Sequence, residues 1–216
     1  MAAAGDPSRG CHVFQPDPAA GGVPVSVQQE QIAMQNDSRV REAERQLRDI
    51  VNTSPVQDQL MGDLHRWRQL CSSMDAIGDT ELAVEAYFDS PAGDGEYGKH
   101  YLEAYGLLQV LFVQQDALKH AAEAIGLPYS LPASLIAIRE VRNNAVGHPT
   151  KRGRSQSESF GIVRASLSHE GFTLYSFDNG LPDNFQPVRL LELIEVQRDA
   201  VVDGIRQMIS HLQILQ

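Results

Sequence analysis

An arginine and a histidine a few residues apart can between them hold a phosphate and move a proton. With four to six residues between an arginine and the histidine that follows it, this sequence offers such a pair three times, as Arg142/His148, Arg164/His169 and Arg206/His211. A guanidinium grips two phosphate oxygens with parallel hydrogen bonds, and an imidazole of ordinary pKa, about 6.5, gives or takes a proton at neutral pH. The pattern alone is weak: with 15 arginines and 7 histidines in 216 residues, chance supplies roughly one or two such pairs. The surrounding residues have to choose among them.

Arg206 and His211 fall inside the apolar-periodic C-terminal segment, about 140° apart on a helix, and solvated positions account for them. Arg164 and His169 fall on an expected strand and its turn, where nothing nearby suggests a cleft. Arg142-Asn-Asn-Ala-Val-Gly147-His148-Pro149 is different. On an unbroken helix Arg142 and His148 would stand about 120° apart, but Gly147 is expected to be a left-handed cap that swings His148 back toward Arg142, with Pro149 stiffening the exit. Residues 139–154 hold Arg139, Arg142, Lys151, Arg152 and Arg154 against Glu140 as the one acid, inside a chain of net charge −10. Such an island draws an anionic ligand. The simpler alternative is a helix-capping pair, in which basic side chains satisfy the last carbonyls of a helix.

The elements that would carry these residues are mostly helical. Residues 1–37 read as a flexible N-terminal tail, with four glycines and four prolines in the first 24 positions. A helix is expected from Asp37-Ser38 through Val40, Ala43, Leu47, Ile50 and Val51, broken at Asn52-Thr-Ser-Pro55. Leu60, Leu64, Trp67 and Cys71 mark a second helix, and Asp79–Phe88 a shorter third. After a loop at Ser90–Gly95 the longest helix runs from Tyr97 to Ile125, apolar on more than one side as at the centre of a bundle, with Tyr97, Tyr101 and Tyr105 in the core. Gly126-Leu-Pro128 ends it. The motif helix opens at Pro132 or Ala133 and runs through Leu135, Ile138 and Val141 to Ala145. Two strands, Phe160–Leu167 and Phe172–Phe177, flank a turn at Ser168–Gly171, and the last helix spans Val188 to about Leu215. The expected fold is all-α, a helical bundle over residues 38–216, with a β-hairpin at about 159–177 inserted before the last helix.

Arg142-Asn143 followed by Gly147-His148-Pro149, at the end of a helix in an all-α bundle, resembles the HEPN superfamily (higher eukaryotes and prokaryotes nucleotide-binding). Many of its members are metal-independent endoribonucleases of toxin–antitoxin, phage-defence and RNA-processing systems. The resemblance implies that Arg142, Asn143 and His148 are the catalytic residues, paired across a homodimer interface, with RNA as substrate and an antitoxin or other regulatory protein as a further partner. Arg139, Lys151, Arg152 and Arg154 would bind RNA phosphates. The hairpin departs from the family pattern. A non-catalytic HEPN-like module that dimerises and binds a nucleotide or a protein is the second reading.

Composition bounds these readings. Eighteen cations against 28 acids argue against non-specific coating of nucleic acid. Cys11 and Cys71 are too few for a four-ligand zinc site or a disulfide framework. Asp116, His120 and Glu123 share a helix face, but with no second cluster they read as solvated, so neither a metal nor another cofactor is expected. No run approaches the roughly 18 apolar residues of a membrane span, and the first residues lack a signal-peptide pattern. The expected location is cytoplasmic.

Overall fold

The computed structural model describes residues 38–89, 93, 95–147, 149, 159–177 and 182–214. The expected tail, His148, Lys151, Arg152 and Arg154 lie outside the described residues. Val40, Ala43, Leu47 and Val51 recur every three or four positions, and they form the buried stripe of helix α1 (Ser38–Val51). Pro55 sits in the first turn of the short α2 (Ser54–Met61), where its missing N–H costs nothing. The Asp63 carboxylate accepts hydrogen bonds from the backbone N–H groups of His65 (3.0 Å) and Arg66 (3.2 Å), starting α3 (Leu64–Asp89).

Two expectations change here. Leu60 belongs to α2 and not to the helix that carries Trp67 and Cys71. The expected second and third helices are one: α3 runs 26 residues straight through Gly78, because Leu70, Met74, Ile77 and Val84 bury a continuous stripe that outweighs one interior glycine.

Helix α4 (Tyr97–Ala124) is central, packing on α3, on α5 (Ala133–Arg142) and on the last helix, α6 (Leu190–Gln213). Its end is a Schellman motif. Gly126 has φ +76°, its N–H donates to the Glu123 carbonyl at 3.0 Å, and the Leu127 N–H reaches the Ala122 carbonyl at 2.9 Å. The tyrosine expectation fails in part: Tyr97 and Tyr105 are 43% and 37% exposed, while Tyr101 packs on the core.

The β insert is a three-stranded antiparallel sheet in the order β1 (Ser159–Ile162), β2 (Gly171–Phe177), β3 (Asn184–Arg189). The first strand stops at Ile162, and a 3-10 turn at Arg164–Ser166 replaces its expected second half. The third strand takes up Val188, so α6 begins at Leu190. Register pairs Ile162 with Leu174 and Phe172 with Val188, and Phe172, Leu174 and Val188 are buried. Pro187, which has no N–H to give a ladder, lies on the edge strand β3, where a proline is tolerated. No helix among the described residues is long and apolar enough to cross a membrane.

A polar seam crosses the apolar core. Gln115 donates to Gln197 (2.7 Å); Gln197 donates to Gln114 (3.0 Å) and to the Leu111 carbonyl (2.9 Å); Gln114 reaches Glu81 at 3.4 Å. Arg198 donates through Nε (2.8 Å) and Nη2 (2.7 Å) to Glu81 Oε1. All five residues are buried, so each amide and charge depends on the others for the hydrogen bonds that water no longer supplies.

Candidate functional site

The motif helix does not end as the glycine suggested. After Arg142 the chain widens into a π-helical turn, Asn143–Gly147, and Gly147 is not among the positive-φ glycines, so no left-handed cap forms. The widened turn instead brings Arg142 close to Gly147 itself. With i to i+5 bonding, residues five apart stack on one face, which sets Arg142 over Gly147. A Cβ on Gly147 would stand 2.9 Å from Arg142 Nη1 and 3.6 Å from Asn143 Oδ1. A side chain at position 147 would push the Arg142 guanidinium aside.

The Arg142 guanidinium is held from three directions. Its Nε and Nη2 both donate to Gln109 Oε1 (3.2 and 2.7 Å), and Nη1 donates to Asn143 Oδ1 at 3.1 Å. Its central carbon lies 4.5 Å from the Phe112 ring centroid. Arg139, one turn earlier, shares that ring at the same 4.5 Å, while its Nε donates to Gln115 (2.7 Å) and its Nη2 to Asp116 (2.5 Å). The two arginines thus clamp α5 to α4 through an aromatic face that favours cations. Arg142 keeps hydrogen-bonding capacity beyond these three bonds, since a guanidinium carries five N–H donors.

Sequence reasoning missed Gln109 and Phe112, on a helix whose buried apolar stripe also holds Gln114 and Gln115. An amide in such a stripe signals a buried hydrogen bond, and Gln115, Gln114 and Gln197 all carry that signal. Asp116, read as solvated, is the acid that pairs with Arg139. Glu123 and the His120 carbonyl receive the Gln69 amide (3.5 and 3.2 Å), along an open groove of about 670 Å³ between α3 and α4. Among the described residues no group of three His, Cys, Asp or Glu side chains is arranged to hold a metal. Burial, reinforced by Asp75, pushes the Cys71 thiol up and away from nucleophilic use.

The other two pairs go separate ways. Arg206 meets Asp203 at 3.4 Å, and the His211 ring reaches the Ile125 carbonyl at 3.3 Å. Arg164 sits in the 3-10 turn, and His169 stacks on Tyr87. Of the expected site residues, then, Arg142 and Asn143 are brought together beside Gly147, and Arg139 is tied to Gln115 and Asp116. No protein-family model matches the chain, and neither a curated protein nor a solved structure does.

Proposed function

We propose that the chain is a HEPN-like endoribonuclease that cleaves RNA without a metal, working as a homodimer in a stress, toxin or defence setting. The observation that carries the reading is the Arg142 guanidinium folded against Gly147, the residue directly before His148. Arg142 would hold the non-bridging oxygens of the scissile phosphate, where negative charge builds in the transition state. His148 would move the proton of the 2′-hydroxyl or of the leaving 5′-oxygen, and Asn143 would orient one of them. One imidazole cannot readily serve as acid and base together, which gives a second protomer's copy a role. Lys151, Arg152 and Arg154 would extend the phosphate path. Exposed apolar side chains on the two helices flanking the motif, Leu102 and Val113 on α4 and Ile136 on α5, support self-association.

The test is incubation of purified protein with RNA in EDTA, beside an Arg142→Ala/His148→Ala control. Cleavage that survives chelation, leaves 2′,3′-cyclic phosphate ends and disappears in the control is the expected result. A need for added Mg²⁺ with 5′-phosphate products overturns it. The second reading, a non-catalytic HEPN-like module for a nucleotide or a regulatory protein such as an antitoxin, draws on the same guanidinium. With three donors turned onto Gln109 and Asn143, Arg142 also serves as a structural clasp. Binding of a nucleotide with no cleavage under any condition would select that reading.

A further inference from the structure

On another face of α4 three buried polar atoms face one another without a hydrogen bond. Glu103 Oε2 lies 3.6 Å from His100 Nδ1 and 3.8 Å from His169 Nδ1, and none of the three has a partner. His100 and Glu103 belong to α4, whereas His169 comes from the turn Ser168–Gly171 between β1 and β2. The His169 ring is stacked on Tyr87 of α3, centroids 4.3 Å apart and planes inclined by 17°, and the Tyr87 hydroxyl donates to the His169 carbonyl. The same residue is therefore held at ring and backbone, with its Nδ1 at 3.8 Å from the carboxylate. A charge-assisted N–H···O bond needs about 2.7–2.9 Å.

The turn is a junction. The Ser168 N–H bonds to the Gly171 carbonyl (2.9 Å), and the Glu170 carbonyl accepts the Leu190 N–H (2.9 Å), satisfying a free donor at the start of α6. At the other side of the sheet the Phe160 N–H donates to the Pro149 carbonyl at 2.6 Å, next in sequence to His148. Docking of this turn holds the sheet to α3, α4 and α6 together.

We propose that the turn Ser168–Gly171 is a proton-operated latch, docked on α3 and α4 while the His169 imidazole is neutral, and released when it takes up a proton. The groups facing His169 are Glu103, His100 and Tyr87 from the helices and Glu170 from the turn itself; Lys99 lies within the field of Glu103, and α6 contributes its Leu190 backbone N–H. In the docked state an imidazolium would be half-buried against a tyrosine ring and beside a second imidazole. Its contact to Glu103, at 3.8 Å, is longer than a charge-assisted hydrogen bond. Released, the imidazolium is hydrated. Burial accordingly holds His169 below the usual histidine range, against the opposing pull of Glu103. The sign follows: the turned-out state binds the proton more readily, so docking is complete above about pH 6.5 and weakens as pH falls toward the lowered value. Each unit of that lowering makes the latch tenfold easier to open in acid.

The latch does not depend on RNA cleavage, and its test reads structure. In the full chain, histidine ring resonances and amide exchange at residues 167–171 and 190 are followed from pH 7.5 to 5, with exchange corrected for intrinsic rates. The expected result is His169 titrating below about 6.5 while protection of those amides is lost with the same midpoint, amides of α3 and α4 staying protected. His169→Phe keeps the ring stack without the proton and should make protection independent of pH. Should that variant fail to fold, the coincidence of midpoints in the native chain decides. Titration of His169 at or above its ordinary value, protection that rises in acid, or saturable Zn²⁺ binding at His100 and His169 would each overturn the proposal.

Discussion

The buried pair Glu81–Arg198 allows a prediction in which the two partners behave differently. Glu81 is 0% and Arg198 1% exposed, with two donors of the guanidinium on one carboxylate oxygen at 2.8 and 2.7 Å. Glu81→Gln keeps the shape and removes the charge. Arginine cannot give up its proton, so the cation stays buried with Glu195 still beside it at 3.4 Å, and the cost is about 3–5 kcal/mol at any pH between 5 and 7. Arg198→Met leaves a carboxylate that can escape by protonation. Holding an ordinary carboxyl of pKa about 4.3 in its neutral form costs about 3.7 kcal/mol at pH 7 and about 1 kcal/mol at pH 5, at 1.36 kcal/mol per unit. The charge cost in Arg198→Met is capped at those values, so its destabilisation should shrink by up to about 2.7 kcal/mol on acidification while that of Glu81→Gln does not. Glu81→Leu combined with Arg198→Met should recover most of the loss, since removing both charges is far cheaper than removing one. Urea unfolding followed by far-UV circular dichroism at both pH values measures all three. Equal destabilisation of Arg198→Met at pH 7 and pH 5, or a Glu81→Gln cost under about 1 kcal/mol, would refute the reasoning.

Gly147→Ala places a Cβ 2.9 Å from Arg142 Nη1 and should displace the guanidinium from Asn143. Stability should fall by only about 0.5–1.5 kcal/mol in urea, while the proposed RNA cleavage should fall at least about tenfold. Gly126→Ala imposes a side chain at φ +76° and should cost about 1–2 kcal/mol, read as a lower urea midpoint with unchanged slope. If the exposed apolar residues of α4 and α5 pair two copies, light scattering across a dilution series should show a dimer at micromolar concentration, and Leu102→Glu with Ile136→Glu should shift it to monomer.

The helical frame was legible wherever one residue type has one meaning. Gly126-Leu-Pro128 ended α4 as read, because a glycine followed by a proline leaves a helix no way to continue. The separate helix expected from Asp79 is a continuation of the one before it, because Leu70, Met74, Ile77 and Val84 bury one unbroken stripe. Strand β3 was hidden by Pro187 and by exposure of five of its six positions, which leaves no alternating pattern to find. Arg142 and Asn143 stand out in the sequence as part of a motif, and the left-handed cap expected at Gly147 does not form. Gln109 lies 33 positions from Arg142, and the pairing becomes visible only when α4 and α5 are packed. The Glu81–Arg198 pair spans 117 positions and carries no local signal at all.

The sheet has a consequence for crowding at high concentration. A three-stranded sheet has two open borders, and open borders invite further strands from other molecules. Here one border is a four-residue strand whose Phe160 N–H is already engaged by the Pro149 carbonyl, and the other carries Pro187, which lacks a donor. Neither border offers a long, unbroken row of hydrogen-bonding groups. The exposed Phe185 ring on β3 is sticky by itself, yet it stands on a strand that a second chain cannot extend in register past the proline. Fibril growth by strand addition is thereby discouraged at both sides of the insert, and replacing Pro187 by a β-branched residue would remove that protection from the side that carries the exposed aromatic.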